Sequence, residues 1–117
     1  GISLVSLGKG FSEMTVDYRE DLIGDNESEV IHGGVVTTLL DAACGAAVMS
    51  VGEPKIPTAT IDLRIDYMRS AKPGKMIRAK ANCFKITPSV AFVRADATDG
   101  KEESLVATAS GAFTSPI

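Results

Sequence analysis

The sequence of 117 residues contains no tryptophan, one histidine (His32) and two cysteines (Cys44 and Cys83). A structural zinc site takes about four such ligands, so no metal site is expected. Two cysteines make no disulfide framework, and both are expected as buried, reduced thiols. Positive charge is not in excess: 12 Lys and Arg stand against 15 Asp and Glu, a formal net charge of −3. That disfavours a broad nucleic-acid binder. Long apolar runs are missing too. The stretch from Val35 to Val51 holds Asp41 and two threonines, and falls short of a membrane span of ~20 residues. No basic-then-apolar leader, internal repeat, linker or low-complexity tract is visible. The expectation is one domain over residues 1–117, without a membrane or nucleic-acid partner, in a reducing compartment, most simply the cytoplasm.

What is present is an ordinary globular balance, 44% hydrophobic and 23% charged residues. A domain this small seldom encloses a deep active site alone. An enzyme of this size is therefore expected to complete its site with a second copy.

Phe11 to Tyr18 alternates imperfectly and reads as a strand. Asp21 to Glu29 is acidic, with Gly24, Asp25, Asn26 and Ser28, and reads as a loop. Gly33-Gly34 then marks a turn and a helix entry, and the apolar run from Val35 ends near Gly52 and Pro54. Leu39, Ala42, Ala43, Ala46 and Met49 are expected to share one helix face. Thr58 to Met68 has a strict period of two, with Ile61, Leu63, Ile65 and Tyr67 on one side and Thr60, Asp62, Arg64 and Asp66 on the other. Lys75 to Ile86, Val90 to Thr98 and Leu105 to Phe113 follow as strands, separated by turns at Pro73-Gly74, Thr87-Pro88-Ser89 and Asp99-Gly100. Short turns between consecutive strands imply an antiparallel meander. One helix for one sheet implies an α+β fold whose sheet wraps the helix, its other face meeting water or another subunit.

Chemistry concentrates between Asn26 and Asp41. Asp41 lies about two turns into an otherwise apolar helix. A buried lone carboxylate costs several kcal/mol, so Asp41 marks either a function or a solvated helix face. Thr37, Thr38 and Gly45 flank it on one strip of small residues, which leaves room for a ligand or a partner chain. Gly33 and Gly34 open the helix, where backbone N–H groups carry partial positive charge and can stabilise an oxyanion. Each piece alone has a plain structural reading: a turn before a helix, a hydrogen-bonding His32, a surface Thr60.

Together, Asn26, then His32-Gly33-Gly34, then Asp41 resemble the Asn-x5-His-Gly-Gly-x6-Asp pattern of hotdog-fold acyl-CoA thioesterases, above all the PaaI-type (phenylacetate-pathway) branch. The segment DLRIDYMRSAKPGKMIRAKA resembles the strand, turn and strand that follow in that family. The resemblance implies a hotdog fold, one long central helix wrapped by a curved antiparallel sheet. It implies Asp41 as general base or nucleophile, the Gly33 amide as oxyanion donor, Asn26 on the carbonyl or the water, and His32 as an orienting group. Thr60 is the closest match to a hydroxyl that holds the water. Gly34, Tyr67, Arg69, Lys85, Ser89 and Val90 are expected to bind substrate, with Lys72 and Lys75 adding basic charge for the phosphates of coenzyme A. Coenzyme A is part of the substrate, and no separate cofactor is expected. The resemblance also implies a homodimer as the minimum unit, with Asp41 facing Asn26 and Gly33 of the partner, and a homotetramer as the commoner assembly. A hotdog hydratase or dehydratase and a non-catalytic acyl-CoA-binding module are the alternatives. Aryl-acyl and fatty-acyl substrates stay open.

Overall fold

A computed structural model of the chain describes residues 1–24, 33–52, 56–100 and 104–117. Its strands are β1 (Ile2–Gly8), β2 (Phe11–Val16), β3 (Thr60–Tyr67), β4 (Ile77–Ile86), β5 (Val90–Asp99) and β6 (Leu105–Thr114). One helix, α1 (Gly33–Met49), and a short 3-10 turn at Glu20–Leu22 complete the described elements. The strands form one antiparallel curved sheet in the order β1-β2-β4-β5-β6-β3, and α1 packs mainly against β2, β4 and β5. This is the expected α+β hotdog architecture.

Two features depart from the sequence reading. β1 is an additional strand, joined to β2 by a turn at Gly10, whose φ of 80° suits glycine. Its residues are exposed along its whole length, so no in–out alternation announced it. Nor is the sheet a meander throughout. β3 pairs with β6 at the far edge, and β4 pairs with β2. The segment between β3 and β4 is a crossing rather than a hairpin. The Met68 and Arg69 N–H groups both donate to the Val106 carbonyl. The Arg69 guanidinium then grips Asp99 at the end of β5, and Asp99 also accepts from the Lys72 N–H. The chain thus passes over the ends of β6 and β5 before it enters β4.

Small side chains let the helix approach the sheet closely. Ala79, Ala81, Ala91, Ala95, Ala97, Ala107 and Ala109 all belong to the buried core. The buried helix positions are Val36, Leu39, Leu40, Ala43, Cys44, Ala47 and Val48. The expected face is corrected accordingly: Ala42, Ala46 and Met49 lie at its margin, only partly buried. A helix apolar nearly all round does not announce its inner side, and specific ties choose it. The buried Ser12 hydroxyl donates to the Ala43 carbonyl (2.5 Å), and the Gly10 N–H donates to Ser50 Oγ (2.7 Å). Cys44 is buried and Cys83 only partly so, and neither is in a disulfide.

β3 also differs from a simple alternation. Thr60 and Asp62 oppose consecutive residues of β6, Phe113 and Ala112, so Ile61 is an extra residue at a β-bulge. Thr60 therefore falls on the same face as Leu63, Ile65 and Tyr67 rather than with Asp62, Arg64 and Asp66. Ile61 leaves that face and is exposed.

Candidate active site

The helix side opposite the core carries Gly34, Thr38, Asp41 and Gly45, exposed or partly buried. Their spacing of three to four residues makes one narrow stripe. Asp41 is half-buried at its centre, and its Oδ1 accepts a hydrogen bond from Thr60 Oγ1 at 2.9 Å. The bulge at Ile61 makes this contact possible by turning Thr60 toward α1. The chain before Thr60 is pinned as well: the Ala59 N–H donates to Thr114 Oγ1 (2.8 Å), and the Thr114 N–H donates to the Ala59 carbonyl (2.9 Å).

Gly33 opens the helix. Its carbonyl lies 3.0 Å from the Tyr67 hydroxyl and 3.3 Å from Thr37 Oγ1, and the two hydroxyls are within hydrogen-bond reach of each other, so their two protons serve two of these three contacts at a time. Tyr67, expected at the substrate, braces the first turn of α1 from β3. The N–H of a first helical residue has no acceptor within the helix. A Cβ placed on Gly33 would meet nothing within 4 Å, so the space beside its Cα is open.

The other nominated residues divide between the two ends of the sheet. Arg69 lies at the Tyr67 end, where its guanidinium is engaged by Asp99 and Ser104. Lys85, Ser89 and Val90 lie at the Thr60 end, where the Ser89 carbonyl accepts from the Ser115 N–H (3.1 Å). Thr60 pairs with Phe113 and Tyr67 with Ala107, six residues along one strand, or about 20 Å. Asp41 and Gly33 are themselves eight helical residues apart, about 12 Å. Asn26 and His32 lie outside the described residues.

A cavity of about 510 Å³ opens beside the stripe, between the start of α1, the 3-10 turn and strands β1 and β2. Ile2, Val16, Leu22, Ile23 and Val35 give it apolar walls, and Thr38 lies on its rim toward Asp41. The sequence reading did not single out these walls. The one available signal was the apolar Leu22-Ile23 pair inside an acidic loop. Beneath the stripe, burial and then the neighbouring Asp41 carboxylate push the Cys44 thiol up to about 12, so it stays protonated. Among the described residues no group of three His, Cys, Asp or Glu could hold a metal ion. No helix among them is long and apolar enough to cross a membrane.

The thioesterase superfamily model matches residues 29–106. A solved protein structure from Pseudomonas aeruginosa is similar with a TM-score of 0.88 and 34% identity, over 97% of this chain and 84% of that one. A mutant of the phenylacetic acid degradation protein PaaI from Thermus thermophilus is similar with a TM-score of 0.85 and 25% identity, over 98% and 93%. Mouse acyl-coenzyme A thioesterase 13 is 33% identical over 91% of this chain and 74% of its own length. With the matched span, the helix wrapped by an antiparallel sheet and these relatives together, the chain belongs to the thioesterase superfamily, as a thioester hydrolase of the hotdog fold.

Proposed function

We propose that the protein hydrolyses acyl-CoA thioesters to a carboxylic acid and free coenzyme A at a site built by two chains. The observation that carries this reading is the half-buried Asp41 on the outer helix stripe, held by Thr60. Asp41 either takes the proton of an attacking water, or attacks the thioester carbon itself to give an acyl anhydride that water then cleaves to the acid and free Asp41. Both routes place negative charge on the carbonyl oxygen, and the Gly33 N–H at the positive end of the helix stabilises that charge. The coenzyme A thiolate leaves and takes up a proton. A thioester is already activated, so a carboxylate and an oxyanion donor suffice. Kinship with mouse acyl-coenzyme A thioesterase 13 supports an acyl-CoA substrate.

Distance supports the two-chain site. The ~12 Å of helix between Gly33 and Asp41 is too long for both to reach one thioester group. Pairing Asp41 of one chain with Gly33 and Asn26 of another removes that conflict. Edge strand β3, with Ile61 and Tyr67 exposed, supplies an open strand for such pairing. The apolar cavity beside Thr38 is of a size that holds small ligands, and the acyl group occupies it.

The test is thiol release from a panel of aryl- and fatty-acyl-CoAs. At least one is turned over, and Asp41→Asn lowers its kcat by at least ~100-fold. Full turnover by Asp41→Asn refutes the assignment, and tight binding without hydrolysis by the wild type refutes the activity.

A further inference from the structure

Strand β3 turns two hydroxyls toward α1. Thr60 and Tyr67 lie at its two ends, an odd number of residues apart, and strict alternation would send them to opposite faces. The bulge at Ile61 brings both to the face that meets the helix. Thr60 holds Asp41. Tyr67 reaches the first turn of α1, with its hydroxyl 3.0 Å from the Gly33 carbonyl. Thr37 Oγ1 lies 3.3 Å from the same carbonyl and within hydrogen-bond reach of the Tyr67 hydroxyl. Each hydroxyl has one proton to give, and every arrangement that fills two of the three contacts leaves the Gly33 carbonyl with at least one donor. Thr37 belongs to α1 and moves with it. Tyr67 comes from the sheet, and its backbone is fixed there. It pairs with Ala107, and the Met68 and Arg69 N–H groups that follow both donate to the Val106 carbonyl.

We infer that Tyr67 is a positioning residue that aims the Gly33 N–H, a role resting on the reading above in which that N–H meets the thioester oxygen. The helix begins on two glycines, Gly33 and Gly34. Glycine has the freest backbone of any residue, and helix ends fray. A donor on such a start is poorly aimed unless something outside the helix holds it. The Tyr67 hydroxyl acts on the peptide between the two glycines, because that planar unit carries the Gly33 carbonyl. With the plane held against the sheet, φ of Gly33 is the one soft torsion left between it and the Gly33 N–H. The donor is thus set before substrate arrives, and a preorganised donor stabilises developing charge without moving first. The Tyr67 side of the strand is otherwise open: the residue is 50% exposed, so its hydroxyl rather than close packing ties it to α1. Thr60 serves Asp41 in the same way. One strand therefore positions, from its two ends, both groups that the chain contributes to the chemistry.

Tyr67→Phe keeps the ring, with any contact the ring makes to substrate, and removes the hydroxyl. In the thiol-release assay its kcat falls by about 10-fold or more, while KM and the dissociation constant for free coenzyme A keep their wild-type values. A second measurement needs no turnover. The Thr37 N–H pairs with the Gly33 carbonyl in the helix ladder, and NMR finds it exchanging with solvent faster in Tyr67→Phe than in the wild type. The amides of residues 44–48, deeper in α1, exchange at the wild-type rate, and circular dichroism and the melting temperature identify the folded variant. Gly33→Pro, which lacks the donor altogether, is the reference. Full turnover by Gly33→Pro overturns the oxyanion assignment and the role of Tyr67 with it. If Gly33→Pro is inactive, the oxyanion assignment stands. The role of Tyr67 alone is then overturned by a folded Tyr67→Phe with wild-type kcat, by a loss of coenzyme A affinity that matches the loss of rate, or by unchanged exchange at Thr37.

Discussion

Thr60 shows how much a single residue depends on its backbone. A strict alternation would turn it away from α1. The extra residue Ile61 turns it inward, and its hydroxyl reaches Asp41. Thr60→Val removes that donor while keeping the branched shape. The expected result is a fall in kcat of roughly 10- to 100-fold with little change in KM, because misplacing a reacting group acts on the transition state. Thr60→Ser, measured in the same thiol-release assay, restores most of the rate. Cys44 lies close by but carries no reaction. Burial, and then the Asp41 charge, push its thiol up to about 12, so almost no thiolate exists at neutral pH. Iodoacetamide at pH 8 leaves Cys44 unmodified in the native protein and labels it once the protein is unfolded in urea. Mass spectrometry of the digested protein reads the difference.

At the scale of elements, the crossing from β3 to β4 decides the topology, and Asp99 anchors it. The Asp99 side chain is 0% exposed. Burial alone would raise its pKa, but hydrogen bonds from Arg69 and the Lys72 amide, with the charges of both residues, hold it below the ordinary carboxylate value. A group held below its unfolded value, about 3.9 for Asp, contributes its full stabilisation above that pH and loses it as pH falls through the lowered folded value. Asp99→Asn leaves Arg69 without its anion and costs about 3 kcal/mol. Urea denaturation at pH 7 and pH 3 measures both effects: a large gap between wild type and variant at pH 7, and a narrower one at pH 3. The Gly111 position shows the same tightness on β6. A Cβ there would lie 3.0 Å from Leu63 Cδ1 and 3.3 Å from the Asp62 carbonyl, so glycine allows β3 to pack beside the bulge.

At the scale of the molecule, a two-chain site has a specific consequence. Gly33→Pro deletes the proposed oxyanion N–H while suiting the first helical position, where proline's fixed φ is tolerated. Asp41→Asn deletes the carboxylate. Each variant alone is inactive. If each site takes Asp41 from one chain and Gly33 from the other, half of the sites in a mixed pair carry both intact groups. Equal mixing after partial denaturation and refolding then recovers about a quarter of wild-type thiol release, as expected for random two-fold pairing. A site contained in one chain recovers none.

The sequence alone determined the fold class, the long helix, the strands after it, and the spacing of Asn26, His32, Gly33, Gly34 and Asp41. These are local properties. A period of two or 3.6 and the special backbone chemistry of glycine are set within a few residues of chain. The tertiary structure decided the rest. It placed β3 at the far edge through Arg69 and Asp99, turned Thr60 toward Asp41 through the bulge, and set Tyr67 on the Gly33 carbonyl. Each depends on contacts between residues far apart in sequence, such as Arg69 with Asp99 and Thr60 with Asp41. Alternation along one strand does not specify which neighbour it meets, because pairing and burial are settled only when the whole sheet closes over the helix.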